Sequence, residues 1–491
     1  MSNGLPVKRE WNRAHRHAPL LALAVLTSAC AGQPFAAPTP RVAVPENWAE
    51  TDAPLVSPDT AAYWRQLDDP LLSELVEQAI VQNRDIAASA ARLDQARAAL
   101  VQARAAYLPT LNASGNATRD IGDAPRDGVP LSLGLDAAWE ADLFGQVSGN
   151  VAAARADLAA QGYGLADLQR LIVGQVALQT INARALAEQL AIARDTLGNQ
   201  RENLQIARWR NQAGLVSSLD VEQARAQVAQ TAATIPSLEA SLAATANAIS
   251  TLIGEPPGRV LAEFDTGTPV PTPPALAGLA APAALLERRP DLRAAEASLY
   301  AAGARIGVAR AQLFPLVRLT GSIGTGPVTA GNLFDMVAGG LVGSISQLLF
   351  DGGRTAAQVD SAEAGAEAAL AQWEGAILSA LEEVESAAVA RRTADERVTI
   401  NEEGLDAANN SAILARSQYE AGLIDFRTLL TAESALLSAR NQLVTAEADR
   451  ASAFVQLTQA LGGGWSADAF DFPLSGSSRG SSPGPSDRTD P

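Results

Sequence analysis

The chain has 491 residues and a formal net charge of −17, and most of its reactive side chains lie near the amino terminus. Its one cysteine is Cys30, its two histidines come earlier, and Lys8 is its only lysine. Without the first 29 residues the chain has no histidine, no lysine and a net charge of −20. Such a chain cannot form an intrachain disulfide, a zinc site of histidine or cysteine, a histidine-activated nucleophile or a lysine Schiff base. Because it is so acidic, it is also not expected to bind nucleic acid.

The amino-terminal segment, residues 1–29, has the pattern of a secretory signal. Basic residues between Lys8 and Arg16 precede an apolar run that is too short to remain as a membrane span. The run ends in Leu26-Thr27-Ser28-Ala29-Cys30, which is similar to a bacterial lipobox. We therefore predict that Cys30 becomes the lipidated first residue, and that Ala31, where retained lipoproteins carry Asp, permits sorting to the outer membrane. The alternative is an ordinary signal peptide beside a chance cysteine.

The next two segments differ in periodicity. Residues 30–60 are rich in proline and alanine and are predicted to form an extended tether. From about Leu67 to Tyr107 apolar residues recur at helical spacing, and Pro109 ends this predicted helix because the residue before a proline avoids helical geometry.

Two segments with strand-like alternation follow, at about 110–118 and 129–143. In the second, apolar residues alternate with small or polar ones, which predicts one apolar face: Leu131, Leu133, Leu135, Ala137 and Trp139. Strands of roughly ten residues are long enough to cross an outer membrane when tilted. Two solvent-exposed hairpins that cap a helical bundle would give the same pattern, so both interpretations remain open here.

The longest predicted helix runs from about Phe144 to Arg210. Its apolar residues recur mostly three and four positions apart, as in a coiled coil: Leu165, Leu168, Ile172, Val176, Leu186, Leu190, Ala193 and Leu197. At 1.5 Å per residue this helix would be about 100 Å long. Gly214 ends it, and Ser217 to Asp220 resembles a capping box that starts a returning helix. A plain structural coiled coil would show the same stripe.

The whole pattern occurs twice. Residues 85–115 and 291–321 share 11 identities at an offset of 206, and Leu143-Phe144 matches Leu349-Phe350 at the same offset. Ala213-Gly214-Leu215 matches Ala421-Gly422-Leu423 at 208. We predict two tandem copies of helix, strand, strand, long helix and helix. The predicted units are a first repeat at 61–255, a linker at 256–283, a second repeat at 284–464 with strands at about 316–324 and 339–350, and a disordered tail at 465–491.

The strand count limits how these segments can enter a membrane. Four strands cannot close a barrel, and lipid does not tolerate open sheet edges. If the strands cross a membrane, several chains must share one barrel, and three chains would supply 12 strands, within the known range. The predicted fold class is therefore mainly α with a small transmembrane β part.

Several motifs resemble those of the outer membrane efflux factors, the TolC- and OprM-like channels and NodT-type lipoproteins. These motifs are Trp139-Glu140-Ala141-Asp142-Leu143-Phe144-Gly145, Arg288-Arg289-Pro290-Asp291-Leu292, Leu348-Leu349-Phe350-Asp351-Gly352-Gly353 and Tyr419-Glu420-Ala421-Gly422. With the lipobox, the resemblance covers roughly Cys30 to Gly464 in the family's element order. It implies a homotrimer whose 12-stranded outer membrane β-barrel continues into a long periplasmic α-helical barrel.

The resemblance also implies a function and partners. Such a channel is the exit duct of a tripartite system and passes small molecules to the exterior. Its partners are a periplasmic adaptor and an inner-membrane transporter such as an RND pump. No enzyme activity, cofactor or metal is expected.

The resemblance further implies that the turn between the last two long helices, residues 422–431, lines the closed periplasmic end of the channel. Asp425 and Arg427 are therefore gate candidates, with Asp220 of the other hairpin as a candidate partner in a neighbouring chain. Thr431 stands where the family often has Asp, so the usual carboxylate ring is missing or displaced to Asp425. The alternative is that Asp425 only caps a helix and Arg427 is a solvated side chain.

Two other functions remain to be weighed. A structural or adaptor lipoprotein could bridge envelope layers with long helical hairpins, but adaptors lack paired ten-residue strands inserted in two copies. A carboxylate-dependent enzyme would need an acidic pair in a cleft, and the sequence shows no such pair.

Overall fold

The computed structural model describes residues 40–49, 61–119, 121, 129–264, 267–275, 282–326, 332–333 and 335–465. The predicted leader and Cys30 lie outside these residues. The first set of elements comprises α1 (Pro70–Gln82), α2 (Arg84–Ala105), β1 (Thr110–Ala117), β2 (Leu131–Ala141), α3 (Gln146–Gln212) and α4 (Ser218–Leu252). The second comprises α5 (Pro290–Ala311), β3 (Leu316–Thr325), β4 (Val337–Ser346), α6 (Arg354–Glu420) and α7 (Phe426–Ala460). Single helical turns lie at Tyr63–Leu67, Arg259–Ala262, Pro282–Ala284 and Leu285–Arg288.

The two sets of elements match in length. α2 and α5 each have 22 residues, α3 and α6 each have 67, and α4 and α7 each have 35. At 1.5 Å per residue, α3 and α6 are each about 100 Å long. The predicted apolar stripe is buried along both, at Leu165, Ile172, Val176, Leu190, Ala193 and Leu197 and at Trp373, Ile377 and Val384. No helix of the described part combines the length and the apolarity that a membrane-spanning helix needs.

The single helix predicted from Leu67 to Tyr107 is wrong, because the structure divides it at Asn83. The backbone of Asn83 leaves helical geometry, and its side chain accepts hydrogen bonds from the amides of Asp85 and Ile86. Its Nδ2 also donates to the carbonyl of Leu252, at the end of α4, over 2.8 Å. An N-cap that also holds the end of another helix outweighs the apolar periodicity that continues through it.

The two-residue drift between the copies occurs earlier than the sequence identities indicate. α2 and α5 begin 206 residues apart, but α3 and α6 begin 208 apart. Gly145 and Gly353, with φ angles of 81° and 87°, precede those long helices and are structural equivalents. The expectation that Leu143-Phe144 and Leu349-Phe350 correspond is therefore wrong, since they lie at different distances from these glycines.

Strand pairing locates the drift in the loop between β3 and β4. Thr110 at the start of β1 lies opposite Ala138, whereas Leu316 at the start of β3 lies opposite Ser346. The two β-strand starts are 206 residues apart, but their partners are 208 apart. β1 and β3 therefore keep the smaller offset, and everything from β2 and β4 onward has the larger one.

The described strands form one antiparallel sheet in the order β1-β2-β3-β4. Its register puts odd-numbered residues of every strand on one face: Ala113 lies opposite Leu135, Leu135 opposite Ile323, and Leu319 opposite Gly343. That face carries most of the apolar side chains, and the even-numbered face is mostly small or polar. The alternation predicted for the second strand is thus present in the whole sheet.

The strand ends differ slightly from the prediction. β2 is shorter than the predicted 129–143, and β4 is displaced from the predicted 339–350. After β4 the chain leaves the ladder at Gln347, whose Nε2 donates to the carbonyl of Leu313 over 2.9 Å. A side-chain bond to the preceding helix end therefore replaces strand pairing for Leu348 to Phe350.

The main core lies where α1 and the ends of α4 and α7 pack on the middle of α3. It contains large, fully buried side chains, including Tyr63, Leu72, Leu75, Ile181, Ile249 and Ile253. Asp69 caps α1 by accepting hydrogen bonds from the amides of Leu71 and Leu72. The same carboxylate pairs with Arg184 of α3 over 3.1 Å, and both side chains are almost completely buried.

Segments predicted to be loose are partly packed. In the predicted tether, the described residues 40–49 form no helix or strand but lie along α6, where the amides of Arg41 and Ala49 donate to Glu374 and Glu385. Trp48 is buried in the second core cluster. At the other end, Trp465 was predicted to begin the disordered tail, yet its Nε1 donates to the carbonyl of Arg288 over 2.9 Å.

Candidate functional site

The candidate site is formed by the tips of the two long hairpins, where α3 turns into α4 and α6 turns into α7. Both turns use a glycine in the left-handed region, Gly214 with φ 74° and Gly422 with φ 72°. The following amides close the helix ends, since Leu215 donates to Arg210 and Leu423 to Gln418. A left-handed glycine at this place ends a helix with its last carbonyls satisfied.

Both returning helices begin with the predicted caps. The Ser217 hydroxyl accepts from the amide of Asp220, and the Asp220 carboxylate accepts from the amide of Ser217 over 3.0 Å. Oδ1 of Asp425 accepts from both the amide and the hydroxyl of Thr428, over 2.8 and 2.6 Å. Both Asp425 bonds use one carboxylate oxygen, so the cap leaves the second oxygen available to a partner.

Asp425 carries a persistent negative charge at the tip. The hydrogen bond from the Thr428 side chain, then that from its amide, and the nearby Arg427 guanidinium hold the pKa of Asp425 below its ordinary range. The side chain is exposed, as are those of Arg427 and Thr431. At neutral pH the tip of the second hairpin therefore presents an ionised carboxylate.

Arg427 and Thr431 line an open groove on the second hairpin. The Thr431 hydroxyl donates to the carbonyl of Arg427 over 2.9 Å. The groove has a volume of about 470 Å³ and lies between α6 and α7, where it is also lined by Ser411, Leu414, Gln418 and Ile424. Three of the four predicted gate residues thus lie around the second tip, and Asp220 lies on the first.

The two tips are held together by contacts that the sequence analysis did not predict. Arg210 of α3 lies 4.5 Å from the ring centroid of Tyr419, and its guanidinium donates to the carbonyls of Tyr419 and Glu420. Tyr419 in turn packs on Phe426, with ring centroids 5.4 Å apart. The tyrosine of the Tyr419-Glu420-Ala421-Gly422 motif was a usable signal, because Asn211 is its counterpart in the first repeat.

A polar contact one to two turns from the tips joins the hairpins again. Asn203 of α3 donates to both carboxylate oxygens of Glu433 of α7 over 2.8 Å, and Arg416 pairs with Glu433 over 3.2 Å. The Glu433 side chain is only 10% exposed. Movement of one tip relative to the other therefore requires the loss of these bonds and of the Arg210 contact.

At the opposite end of the long helices, the sheet exposes apolar side chains. Leu111, Leu341 and Ile345 are 69, 77 and 75% exposed, and every residue of β1 and β4 is exposed. Exposed apolar patches of this extent mark surfaces that lie against a membrane or another protein. No cluster of three or more metal-ligating side chains occurs in the described part. A membrane-facing sheet on helices about 100 Å long defines a protein of the cell envelope that reaches far from its membrane.

Comparison with known proteins identifies the class. The outer membrane efflux protein family matches residues 75–255 and 281–463. Nodulation protein T of Rhizobium leguminosarum bv. trifolii is 31% identical over 450 residues, which cover 90% of this chain and 96% of that protein. The pyoverdine export outer membrane protein OpmQ of Pseudomonas aeruginosa is 32% identical over 467 residues, covering 91% and 97%.

Solved structures give the same result. The outer-membrane channel OprN is 32% identical and superposes with a TM-score of 0.78 over 87% of this chain and 99% of its own. The open state of the Neisseria gonorrhoeae MtrE outer membrane channel has a TM-score of 0.80 at 28% identity, covering 88% and 98%. The chain belongs to the outer membrane efflux protein family. It is an outer membrane efflux channel, the exit duct of a tripartite efflux system, and its family consists of channel proteins rather than enzymes.

Proposed function

We propose that the channel is a homotrimer in which three sheets close one 12-stranded barrel and the long helices form a periplasmic conduit. The observation that carries this proposal is the sheet. Its two edge strands, β1 and β4, expose every residue, and one face is apolar. An open sheet edge is not tolerated in lipid, so each edge needs a strand from another copy.

Three copies satisfy this requirement within known limits. Twelve strands fall inside the range of natural outer membrane barrels, whereas four or eight leave either no closure or a lumen filled by side chains. Because the odd-numbered face is apolar in all described strands, it faces lipid, and the small or polar face lines a hydrated lumen. Small molecules then leave through the lumen without catalysis.

The tandem arrangement supports two further partners. The long hairpins carry the tips far from the sheet, so the tips meet a periplasmic adaptor and an inner-membrane transporter of the RND type. The substrate is a small molecule, as the names of relatives that export pyoverdine indicate for those proteins. A structural or adaptor lipoprotein without a pore is less favoured, because it has no use for a sheet with one continuous apolar face.

The assembly is tested by its mass and its conductance. In mild detergent we expect three chains of about 48 kDa each, once the leader is removed. The same preparation is expected to conduct ions in a planar bilayer. A monomer that conducts would contradict the trimer, and a stable trimer without conductance would favour the structural lipoprotein.

We also propose that Cys30 carries the lipid anchor. Replacing Cys30 by Ser is expected to abolish incorporation of a labelled fatty-acid analogue completely, because the thiol is the acceptor. The protein should still fractionate with membranes, since one acyl chain adds only marginal binding and the barrel remains. As a matched control, Ala31→Asp should keep the label while changing the sorting signal. Label retained in Cys30→Ser would refute the lipobox.

A further inference from the structure

Within one chain, the second repeat covers the first. β2 pairs with β3, and α3 packs against α5 and α7 as well as against α2 and α4 of its own repeat. α6 is the counterpart of α3, yet its main helix contacts are with α5 and α7, which belong to its own repeat. The contacts that α3 makes to the other repeat therefore have no counterpart on α6 within the described part of the chain.

The side chains on that face of α6 are unusually apolar for an exposed surface. Ile192 of α3 packs against the main core, and its counterpart at offset 208, Ile400, is 66% exposed. Ile206 is 39% exposed, and its counterpart Leu414 is 61% exposed. Leu414 lines the 470 Å³ groove beside Arg427. The uncovered face thus continues along α6 to the candidate entrance.

We infer that the first repeat of a neighbouring copy covers this face in the arrangement that the second repeat adopts on the first within the chain. The occupant of the groove is then the neighbour's α4, the counterpart of α7. Leu429 and Glu433 of α7 contact the first hairpin, and their counterparts at offset 208 are Val221 and Arg225. The contact of Asn203 with Glu433 becomes one of Ser411 with Arg225 of the neighbouring copy.

The same rule fixes the strand register at the seam between copies. Within the chain Ala138 of β2 lies opposite Thr320 of β3. Shifting Ala138 by 208 gives Ser346, and shifting Thr320 back by 206 gives Ser114. Ser346 of β4 therefore lies opposite Ser114 in β1 of the neighbouring copy.

Side-chain direction agrees with this register. Ser114 and Ser346 are both even-numbered and lie on the polar face of the sheet, and the pairing keeps every odd-numbered apolar residue on the lipid face. A shift by one residue would reverse the faces of one copy. The nearest alternative that preserves the faces is a shift by two, with Ser344 opposite Ser114, as a uniform offset of 206 would give.

Cysteine pairs distinguish the two registers, in a chain whose one native cysteine is Cys30. Directly opposed residues are about 4.5–5.5 Å apart, whereas residues displaced by two are about 7–8 Å apart. A disulfide needs Cα atoms within about 7 Å. Ser114→Cys with Ser346→Cys is expected to give covalent trimers on mild oxidation, and Ser114→Cys with Ser344→Cys is expected to give few. Each single variant serves as a control.

A second pair tests the groove. Ser411→Cys with Arg225→Cys should be joined between copies by a short bifunctional thiol reagent, and Ser411→Cys with Arg225 unchanged should not. This inference rests on the proposed trimer, but the outcomes separate the two. A conducting trimer that cross-links through Ser344 instead of Ser346, or that fails to cross-link through Arg225, overturns the inference and leaves the channel intact. Failure of the unmodified chain to assemble or conduct overturns the proposed function itself.

Discussion

Replacing Asp69 by Ala is expected to destabilise the folded chain by about 3–5 kcal/mol, the range for removing one partner of a buried ion pair. The side chains of Asp69 and Arg184 are 3 and 4% exposed, and the carboxylate forms two bonds of 3.1 and 3.2 Å with the guanidinium. The substitution leaves the Arg184 charge buried without its partner. It also removes the cap of α1, because Asp69 accepts from the amides of Leu71 and Leu72.

An exposed pair on the same helix provides the matched control. Arg65 and Glu77 meet over 2.9 Å, but their side chains are 64 and 58% exposed. Glu77→Ala is therefore expected to cost less than about 1 kcal/mol. The measurement is the thermal midpoint of the detergent-solubilised protein, followed by circular dichroism. An Asp69→Ala shift no larger than the Glu77→Ala shift would contradict the importance given to the buried pair.

Coupling between the two partners gives an independent check. Arg184→Ala should also lower the midpoint, although by leaving an unpaired carboxylate rather than an unpaired guanidinium. If the two residues act mainly through each other, the double variant should be less destabilised than the sum of the single variants. Strict additivity would show that their effects come from the cap and the packing instead.

The sequence predicts those features whose signal is local or periodic. The strands, the long helices and the caps at Ser217 and Asp425 follow from alternation, apolar spacing and short-range capping patterns. The break at Asn83 was missed because the apolar spacing continues through it, while the bond to Leu252 that fixes it joins residues 169 positions apart. Periodicity reports which face of a helix is buried, but not which distant segment covers it.

The hairpin contacts illustrate the same limit. Arg210 and Tyr419 are 209 residues apart, and neither position has a local pattern that pairs it with the other. The duplication could have supplied the missing information, because it relates α3 to α6. Its use required the correct offset, and the identity of Leu143-Phe144 with Leu349-Phe350 indicated the wrong one for the elements from β2 onward.

The structure makes the cap and gate interpretations of Asp425 compatible. The cap uses Oδ1, which accepts from the amide and hydroxyl of Thr428. The second oxygen can meet Arg427 or another group of a neighbouring copy, and Asp220 likewise forms its capping bond to the Ser217 amide through one oxygen. We propose that three such contacts, one per copy, keep the resting entrance narrow.

Asp425→Ser is expected to raise the resting conductance of the trimer by about 3-fold or more, the size expected when three surface ion pairs are removed together. Serine retains the cap, since it is as good an N-cap as aspartate, but it carries no charge. Arg427→Ala should raise the conductance in the same direction. Entry of vancomycin into cells should increase in parallel, because a wider entrance admits larger molecules.

The pH dependence follows from the lowered pKa of Asp425. A carboxylate whose pKa is depressed in the folded state contributes fully above its unfolded value of about 3.9 and loses that contribution only as the pH falls through the lower folded value. Resting conductance should therefore be flat between about pH 5 and 8 in the unmodified channel and in Asp425→Ser. Single-channel recordings at both pH values measure this. If conductance stays at the unmodified level in both Asp425→Ser and Arg427→Ala, Asp425 is only a helix cap and the entrance is held by the apolar contacts of Tyr419 and Phe426.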